Sequence, residues 1–495
     1  MSVTAVPPAR VYEHGTAPAP TRSIPLSRIL YLPMEIASRE LDSRLLIAAF
    51  ALERGYEVVL GQKWLIERNL RAMQPGLYLS KTLTQRDAKF SSRAGDLGYF
   101  VTAIDEEMPG LVVKSNELRW VSEAGVDSSN LIFVAGSNNA DALRTRFPEA
   151  AHKVQAVGNP RLDLLRPQLR PLYRAEAERL RARHGRFILI NTNLGFTNSE
   201  KGSVDEIVSE QVRLGKLNLD NPEHRAFVEG IKAMEAANGA AITQLLKILP
   251  PALPDHRIIL RPHPSENLTR WHALIGQSPR VDVIREGPAA PWIYAADALI
   301  HTNCTTGVEA VALDRPAICI VPSDVGVNQR YLSNRVNPVV RSAAEAVDAV
   351  RRIVADPAGF RYSAEMLRQF HQSLSFEDDR LAAVALLDAI EGRLDPRDFS
   401  GPAWNPTWKY RWHQADKNVR GKLMPALDLG LITDHLSRMR EMLRLRFDVV
   451  VEPVGTKLVH LSARGLAPSV RWRRRLNSLI SLRRHATARK GSARS

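Results

Sequence analysis

The chain has 495 residues, of which 44% are hydrophobic and 24% charged, so it can form two domains of ordinary size and is too apolar for wholesale disorder. Two cysteines, Cys304 and Cys319, are too few for the disulfide scaffold of a secreted protein. The N-terminus lacks the apolar core of a signal peptide, and no run approaches the roughly 18 apolar residues of a transmembrane helix. These features predict a cytoplasmic location.

The net charge of +15 is concentrated at one end of the chain. Residues 471–495 contain nine lysines and arginines, and no Asp or Glu follows Glu452. A nucleic-acid-binding core would spread basic and aromatic residues over a folded face, so we expect no nucleic-acid partner. Apolar and basic residues interleave in this tail, which is typical either of peripheral association with an anionic inner-membrane surface or of a solvated tail.

Short apolar runs alternate with helical periodicity after a lead at 1–26 that we expect to be disordered. Strands are predicted at 28–33, 56–60, 76–79, 99–104, 131–134 and 154–157. Helices are predicted at 41–54 and 63–71. Such alternation indicates a parallel sheet with helices on both faces, and hence a Rossmann-like domain over residues 27–170.

A second alternating series follows a linker and a helix. Its predicted strands lie at 187–191, 257–261, 281–284, 298–301 and 317–321, with a long helix at 223–249. This series predicts a second Rossmann-like domain over 185–345. Beyond it we expect a helical segment at 346–394 that crosses back to the first domain, a C-terminal extension at 395–465 and the basic tail at 466–495. The expected fold class is α/β, with two doubly wound domains facing a cleft and a helical C-terminal extension.

The strongest local motif is an apolar strand that ends in Arg261-Pro262-His263-Pro264. The carboxyl end of such a strand is where a Rossmann-like sheet presents groups to a ligand. Arg261 suits a phosphate or carboxylate, and His263 suits a phosphate or a departing nucleotide. The alternative is an ordinary loop with a surface histidine.

Small polar residues follow two other predicted strands. The strand at 298–301 runs into a helix start that carries Asn303, Thr305, Thr306, Gly307 and Glu309. Backbone N–H groups and hydroxyls at a helix start bind phosphate, although the same residues also suit simple helix capping.

The strand at 187–191 ends in Asn191, and Asn193 and Gly195 follow as further candidates for the base or phosphate of a nucleotide. No dinucleotide-binding glycine fingerprint or P-loop occurs in context, which disfavours dehydrogenase and ATPase functions.

Three carboxylates, Asp105, Glu106 and Glu107, follow the strand at 99–104. Clustered carboxylates repel, so one of them can have a raised pKa and act as a general base. The alternative is a solvated acidic loop.

Taken together, these segments resemble the bacterial surface carbohydrate biosynthesis proteins, a GT-B-like group, over roughly residues 27–390. The matching segments are Leu32-Pro33-Met34-Glu35, Arg39-Glu40-Leu41-Asp42-Ser43-Arg44, Ile104-Asp105-Glu106-Glu107, Gly158-Asn159-Pro160-Arg161-Leu162-Asp163, Arg261-Pro262-His263-Pro264, Glu286-Gly287 with Pro291-Trp292-Ile293, and Asn303-Cys304-Thr305-Thr306-Gly307-Val308-Glu309-Ala310.

The chain is more distantly similar to bacterial sialyltransferases and Kdo transferases, and to teichoic-acid glycerophosphotransferases that use CDP-glycerol. This resemblance implies that Glu106 is the base, with Asp105 the competing candidate. It implies that His263 and Pro264 contact the nucleotide and that Thr305 and Thr306 hold the donor phosphate. Met108 and Pro109 interrupt the expected acidic motif.

The resemblance further places Glu286 on the nucleotide-sugar side, and Glu35 and Arg39 on the acceptor side. Ion pairs on a helix surface would explain the presence of Glu35 and Arg39 equally well. It implies no cofactor and no bound metal. The predicted function is transfer from a nucleotide sugar, including a CMP-linked nonulosonic or Kdo-type sugar, to a carbohydrate or lipid-linked acceptor of a bacterial surface polysaccharide. The alternatives are a UDP-sugar 2-epimerase-like enzyme, a CDP-glycerol-type phosphotransferase and a non-catalytic membrane-associated assembly protein.

Overall fold

The computed structural model describes residues 24–405, apart from 107, 113, 216, 277 and 377–379, and residues 426–464. Most of the lead at 1–26 and the basic tail at 466–495, with its predicted membrane contact, lie outside these residues, as does Glu107. No helix among the described residues is long and apolar enough to cross a membrane.

The first sheet has eight strands in the order β13-β14-β2-β1-β3-β4-β5-β6. Its strands are β1 (Ile29–Met34), β2 (Glu57–Gln62), β3 (Leu77–Ser80), β4 (Phe100–Ile104), β5 (Leu131–Val134), β6 (Val154–Ala156), β13 (Asp448–Gly455) and β14 (Leu458–Arg464). Strands β1 to β6 are parallel, whereas β14 pairs antiparallel with both β2 and β13.

The second sheet has six parallel strands in the order β12-β11-β10-β7-β8-β9. Its strands are β7 (Phe187–Asn191), β8 (Arg257–Arg261), β9 (Val281–Val283), β10 (Ala298–His301), β11 (Ala317–Ile320) and β12 (Val339–Val340). Two doubly wound sheets confirm the predicted GT-B-like α/β class.

Helices connect the strands in both domains. In the first half they are α1 (Ala37–Glu53), α2 (Lys63–Asn69), α3 (Gln85–Asp96), α4 (Glu123–Asp127), α5 (Ser137–Arg146), α6 (Pro160–Asp163) and α7 (Pro171–His184). In the second half they are α8 (Val204–Arg213), α9 (Pro222–Ala252), α10 (Leu268–Ile275), α11 (Ala289–Ala295), α12 (Thr306–Ala312) and α13 (Ser333–Val336). They are followed by α14 (Ala343–Ala355), α15 (Ala364–Leu374), α16 (Ala382–Glu391) and α17 (Leu429–Met442).

The strands are almost continuously apolar because both faces of each sheet are covered. On β1, Ile29 and Tyr31 pack into one cluster, whereas Leu30 and Leu32 pack into the cluster on the opposite face. That second cluster continues to Leu189 on β7, so the two domains share a continuous apolar core.

The C-terminal segments return to the first domain. Helix α15 packs on α5, and α16 and α17 both pack on α1. The expected helical extension contains α17, and it also contains the hairpin of β13 and β14, which follows α17 and extends the first sheet beyond β2. Apolar residues of β14, such as Leu458 and Leu461, are buried by this pairing.

Candidate functional site

A cleft of about 320 Å³ lies between the two sheets, where α1 of the first domain faces the strand ends of the second. In the second sheet the chain order reverses between β7 and β10, and a crevice outside the strand ends is expected at such a switch point. Eight of the predicted site residues line the cleft: Arg39, Asn191, Arg261, His263, Pro264, Thr305, Thr306 and Glu309.

The loop after β8 is organised by Glu266, which is fully buried. Its carboxylate accepts hydrogen bonds from the backbone N–H groups of His263 (3.0 Å) and Leu194 (3.1 Å). It also accepts from Thr192 Oγ1 (2.8 Å) and Trp271 Nε1 (2.9 Å). One carboxylate therefore joins the loops after β7 and β8 and fixes the backbone that carries His263.

The ring of His263 is held in one tautomer. The backbone N–H of Ser265 donates to Nδ1 (3.2 Å), and the Ser265 hydroxyl lies 2.7 Å from the same nitrogen. Because a backbone N–H can only donate, Nδ1 is the acceptor and the proton of the neutral ring is on Nε2. Burial and the nearby Arg39 lower the pKa of His263, so the neutral form with an Nε2–H donor is favoured at pH 7.

Arginines from both domains line the cleft. The Arg39 guanidinium makes no hydrogen bond or ion pair to any other described residue. Arg161 has a single ion pair, 3.3 Å from Glu309. A guanidinium with unused donors is suited to a phosphate.

Arg261 is engaged differently from the phosphate-binding role that we expected. Its guanidinium stacks on Trp292, 4.9 Å from the ring centroid, and donates to the backbone oxygens of Glu286 (2.6 Å) and Gly287 (3.1 Å). Burial lowers the pKa of Arg261 to about 10, so it stays charged at pH 7. Arg261 thus shapes the cleft wall, with three of its five N–H donors left for a ligand.

The turn after β10 gives its residues separate roles. Asn303 has a left-handed backbone (φ 47°), and its side chain contacts Met234 Sδ and accepts from Asn334 Nδ2 at 2.6 Å. Gly307 packs directly on the ring of His301, where a Cβ atom would clash. Asn303 and Gly307 therefore form the turn and do not line the cleft, contrary to their predicted binding role.

The two threonines of this turn do face the cleft. Thr305 occupies the N-cap position of α12, but its side chain makes no capping hydrogen bond, so the capping interpretation is wrong. Thr306 Oγ1 is buried and has no oxygen or nitrogen partner among the described residues. Burial raises the pKa of the neighbouring Cys304 thiol, which disfavours a thiolate nucleophile.

The loop after β7 contributes one free acceptor. Asn191 is 3% exposed, and its Oδ1 has no partner among the residues that the structure describes. Asn193 instead bridges to the β10 turn, donating from Nδ2 to the Asn303 carbonyl at 3.2 Å. Gly195 allows a close approach of Ser265 Oγ, which would lie 2.8 Å from an added Cβ. Asn193 and Gly195 support the site without lining it.

The two candidate bases in the acidic loop after β4 have different partners. Asp105 is buried and accepts from the Met108 backbone N–H (3.1 Å) and Trp120 Nε1 (2.9 Å), so its carboxylate organises the loop. Glu106 pairs at 2.9 Å with Arg44, which is fully buried.

The environment of Glu106 keeps it ionised. Burial alone would raise the pKa of Glu106, but Arg44, Arg161, Lys81 and Arg39 together hold it below the usual value. The raised pKa that we expected for a general base is therefore wrong for Glu106. Its side chain is 11% exposed and does not line the cleft itself, although the cleft-lining Arg39 and Arg161 both act on its charge.

The same loop contacts the second domain. Gly110 packs on the side chain of Thr305, and its carbonyl accepts from the Leu332 backbone N–H at 3.1 Å. The Val112 backbone N–H donates to the Arg330 carbonyl at 2.7 Å. The loop that follows the acidic motif thus contacts Thr305, although the two are far apart in sequence.

Glu35 and Glu286 are two further predicted residues that do not line the cleft. Glu35 forms ion pairs with Lys81 (3.5 Å) and Lys63 (3.9 Å) beside the end of β1. The Glu286 side chain is exposed and pairs with Arg183, and only its backbone oxygen supports the cleft, through Arg261.

Several cleft residues were not singled out as site residues by sequence reasoning. Asp42 lines the cleft one helical turn beyond Arg39, and its Oδ1 lies 2.8 Å from Nδ1 of His435 on α17. The hydrogen bond to Asp42 raises the pKa of His435. Arg161 and Asp42 lie in the segments that resemble the surface carbohydrate biosynthesis proteins, but no local pattern indicates that their side chains face the cleft. His435 lies in the C-terminal extension, to which the sequence assigns no role.

No group of three or more His, Cys, Asp or Glu side chains with metal-binding geometry occurs among the described residues. No family model matches the chain, and neither does any curated protein.

The chain is similar to solved structures that include the wall teichoic acid polymerase TagF with CDPG, at 11% identity over 74% of this chain and 89% of that one, TM-score 0.46. A putative UDP-N-acetylglucosamine 2-epimerase from Listeria monocytogenes has 10% identity over 76% and 98%, TM-score 0.46. Anabaena HepE in complex with UDP-glucose has 12% identity over 74% and 98%, TM-score 0.39. Similarity at this level carries no information on reaction or substrate, so the motif resemblance to surface carbohydrate biosynthesis proteins stays a prediction.

Proposed function

We propose that the chain transfers a glycosyl group from a nucleotide-activated sugar to an acceptor bound against the first domain. The observation that carries the proposal is the set of groups around the cleft that have donors or acceptors to spare: His263 Nε2–H, the Arg39 guanidinium, Thr306 Oγ1 and Asn191 Oδ1. The role in building a bacterial surface polysaccharide and the choice of a CMP-linked donor rest on the motif resemblance alone.

The donor phosphates are proposed to lie between His263 and Arg39. When the glycosidic bond breaks, negative charge collects on the departing phosphate. A fixed Nε2–H donor and a cation in a partly closed cleft stabilise that charge without rearranging. Thr306 supplies a further donor from the β10 turn, and Asn191 accepts from a ribose or sugar hydroxyl.

Glu106 is proposed as the base that takes the proton of the acceptor hydroxyl. Its low pKa ensures that the carboxylate form is present at neutral pH, and Arg44 fixes its orientation. Asp105 is not proposed for this step, because its oxygens already hold the Met108 N–H and the Trp120 indole.

A thermal-shift screen with CMP, CDP, UDP, GDP and ADP tests the binding part of the proposal. We expect at least one nucleotide to raise Tm in a saturable way, since a ligand that binds only the folded state stabilises it. Arg39→Met is expected to abolish that rise, whereas the control Arg68→Met, an exposed arginine on α2, is expected to retain it. A wild-type protein that no nucleotide stabilises would overturn the proposal.

Product analysis separates transfer from the other reactions that a nucleotide cleft supports. A transferase consumes the donor only when an acceptor is present, whereas an epimerase converts the nucleotide sugar alone. A glycerophosphotransferase would release CMP from CDP-glycerol. Turnover of the donor without acceptor into an isomeric nucleotide sugar would replace the present proposal by an epimerase.

A further inference from the structure

A second pocket, of about 370 Å³, lies between the domains on the far side of the 108–112 loop. Its walls are mainly apolar and aromatic, with Leu111 and Trp120 from the first domain and Phe227, Val327 and Tyr331 from the second. Its volume is in the range of small-molecule sites. The proposed transfer reaction uses none of these side chains.

Two arginines stand at this apolar surface. The guanidinium carbons of Arg119 and Arg330 lie 4.6 and 4.8 Å from the centroid of the Phe227 ring. Arg330 Nε forms an ion pair with Glu117 at 3.3 Å, and Arg119 forms no such close ion pair among the described residues. Arg119 Nη1 and Arg330 Nε are both buried without a hydrogen-bond partner among those residues. Burial and the Arg330 cation lower the pKa of Arg119. The pocket therefore combines an apolar wall with two guanidinium groups, of which only Arg330 is paired with the lining carboxylate of Glu117.

The pocket adjoins the proposed active site through one loop. Leu111 lines the pocket, and the preceding residue, Gly110, packs on Thr305 of the cleft. The Val112 N–H is hydrogen-bonded to the Arg330 carbonyl. The loop that begins with the Glu106 motif thus contacts both the cleft and the pocket.

We propose that this second pocket binds the apolar chain of an amphipathic anion, with its phosphate-type head group paired to Arg119. The half-buried guanidinium of Arg119, with its buried and unpartnered Nη1, is stabilised by such a head group, and the aromatic wall favours an alkyl or prenyl chain over a sugar. Resting on the proposed function, this assignment makes a lipid-linked phosphate the acceptor class, held between the two domains beside the 108–112 loop.

Calorimetric titration without nucleotide tests the inference independently of catalysis. The probes are dodecyl phosphate below its critical micelle concentration, dodecyl maltoside and inorganic phosphate. We expect saturable 1:1 binding of dodecyl phosphate, at least tenfold weaker binding of dodecyl maltoside and no detectable binding of inorganic phosphate. Arg119→Met should weaken dodecyl phosphate at least tenfold, and Arg119→Lys, which keeps the charge, by less than threefold.

The remaining outcomes are informative on their own. Phe227→Ala should also weaken dodecyl phosphate, whereas the cleft variant Arg39→Met should bind it like the wild type. Non-saturable uptake, equal binding of dodecyl maltoside, or full affinity in a folded Arg119→Met protein would overturn the lipid pocket. A wild-type protein that binds dodecyl phosphate but no nucleotide would overturn the proposed function and still support the lipid pocket.

Discussion

Replacing His263 by Ala removes the cleft-lining Nε2–H donor that is proposed to contact the leaving phosphate. A hydrogen bond to a charged group contributes about 1.5–3 kcal/mol. At about 1.4 kcal/mol per factor of ten, its loss predicts a decrease of roughly ten- to 150-fold in kcat/KM for transfer. The assay is initial-rate kinetics with the nucleotide sugar that the stabilisation screen identifies.

Ser265→Ala is the matched control for this substitution. It removes the hydroxyl that lies 2.7 Å from Nδ1 but keeps the backbone N–H that fixes the tautomer. We therefore expect kcat/KM within about threefold of the wild type. His263→Gln, which keeps an N–H donor on a side chain of similar reach, should recover part of the loss. A stably folded His263→Ala protein with wild-type kcat/KM would refute the role of the ring.

The pH dependence of the free energy of unfolding provides a second test of the environment of His263. Its folded-state pKa is lower than the value of about 6.5 in an unfolded chain, so the unfolded state binds more protons as pH falls through this window. Its contribution to the free energy of unfolding is thus complete above about pH 6.5 and is lost as pH falls toward the folded-state pKa. Denaturant titrations of wild type and His263→Gln at pH 7.5 and 5.5 should show a smaller loss in the variant, and equal losses would contradict the pKa shift.

Three further substitutions test other parts of the site. Glu106→Gln should slow transfer about 100-fold or more while nucleotide affinity stays within threefold, and the control Asp141→Asn, at an exposed carboxylate on α5, should retain turnover. Kinetics measures turnover and calorimetry measures nucleotide affinity, and wild-type turnover in Glu106→Gln would contradict its role as the base. Gly307→Ala should lower the free energy of unfolding by about 1–3 kcal/mol in urea titrations, because a Cβ there meets the His301 ring, and an unchanged midpoint would contradict that packing. Glu266→Gln should lower the free energy of unfolding by about 1–3 kcal/mol and also weaken nucleotide binding, because an amide cannot accept from every donor around Glu266. An unchanged free energy of unfolding would exclude the organising role of Glu266.

The sheet architecture could be predicted because parallel strands leave a strong pattern. Strands buried on both faces read as short apolar runs, and β5, β7, β8 and β10 begin and end at the predicted residues. The hairpin of β13 and β14 was missed, although Asp448–Gly455 contains a run of valines, because its pairing with β2 joins residues some 400 positions apart. No local pattern encodes such a contact.

The site was predictable in position but only partly in role. Residues at the ends of β7, β8 and β10 were identified because topology places strand ends together. The direction of each side chain could not be predicted from the sequence. Asn303 contacts Met234 and Asn334, and Arg261 donates to two backbone carbonyls. The pairing of Glu106 with Arg44 depends on the packing of α1 against the β4 loop, which spacing along the chain does not reveal.

One nucleotide is proposed to be bound by both domains across the cleft. Calorimetric titration of the stabilising nucleotide into wild type, Arg39→Met and Thr306→Val tests it most directly, because these residues come from opposite walls. We expect Arg39→Met and Thr306→Val each to weaken binding about tenfold or more, and Arg68→Met to bind like the wild type. Wild-type affinity in both cleft variants, or an effect confined to one domain, would contradict it.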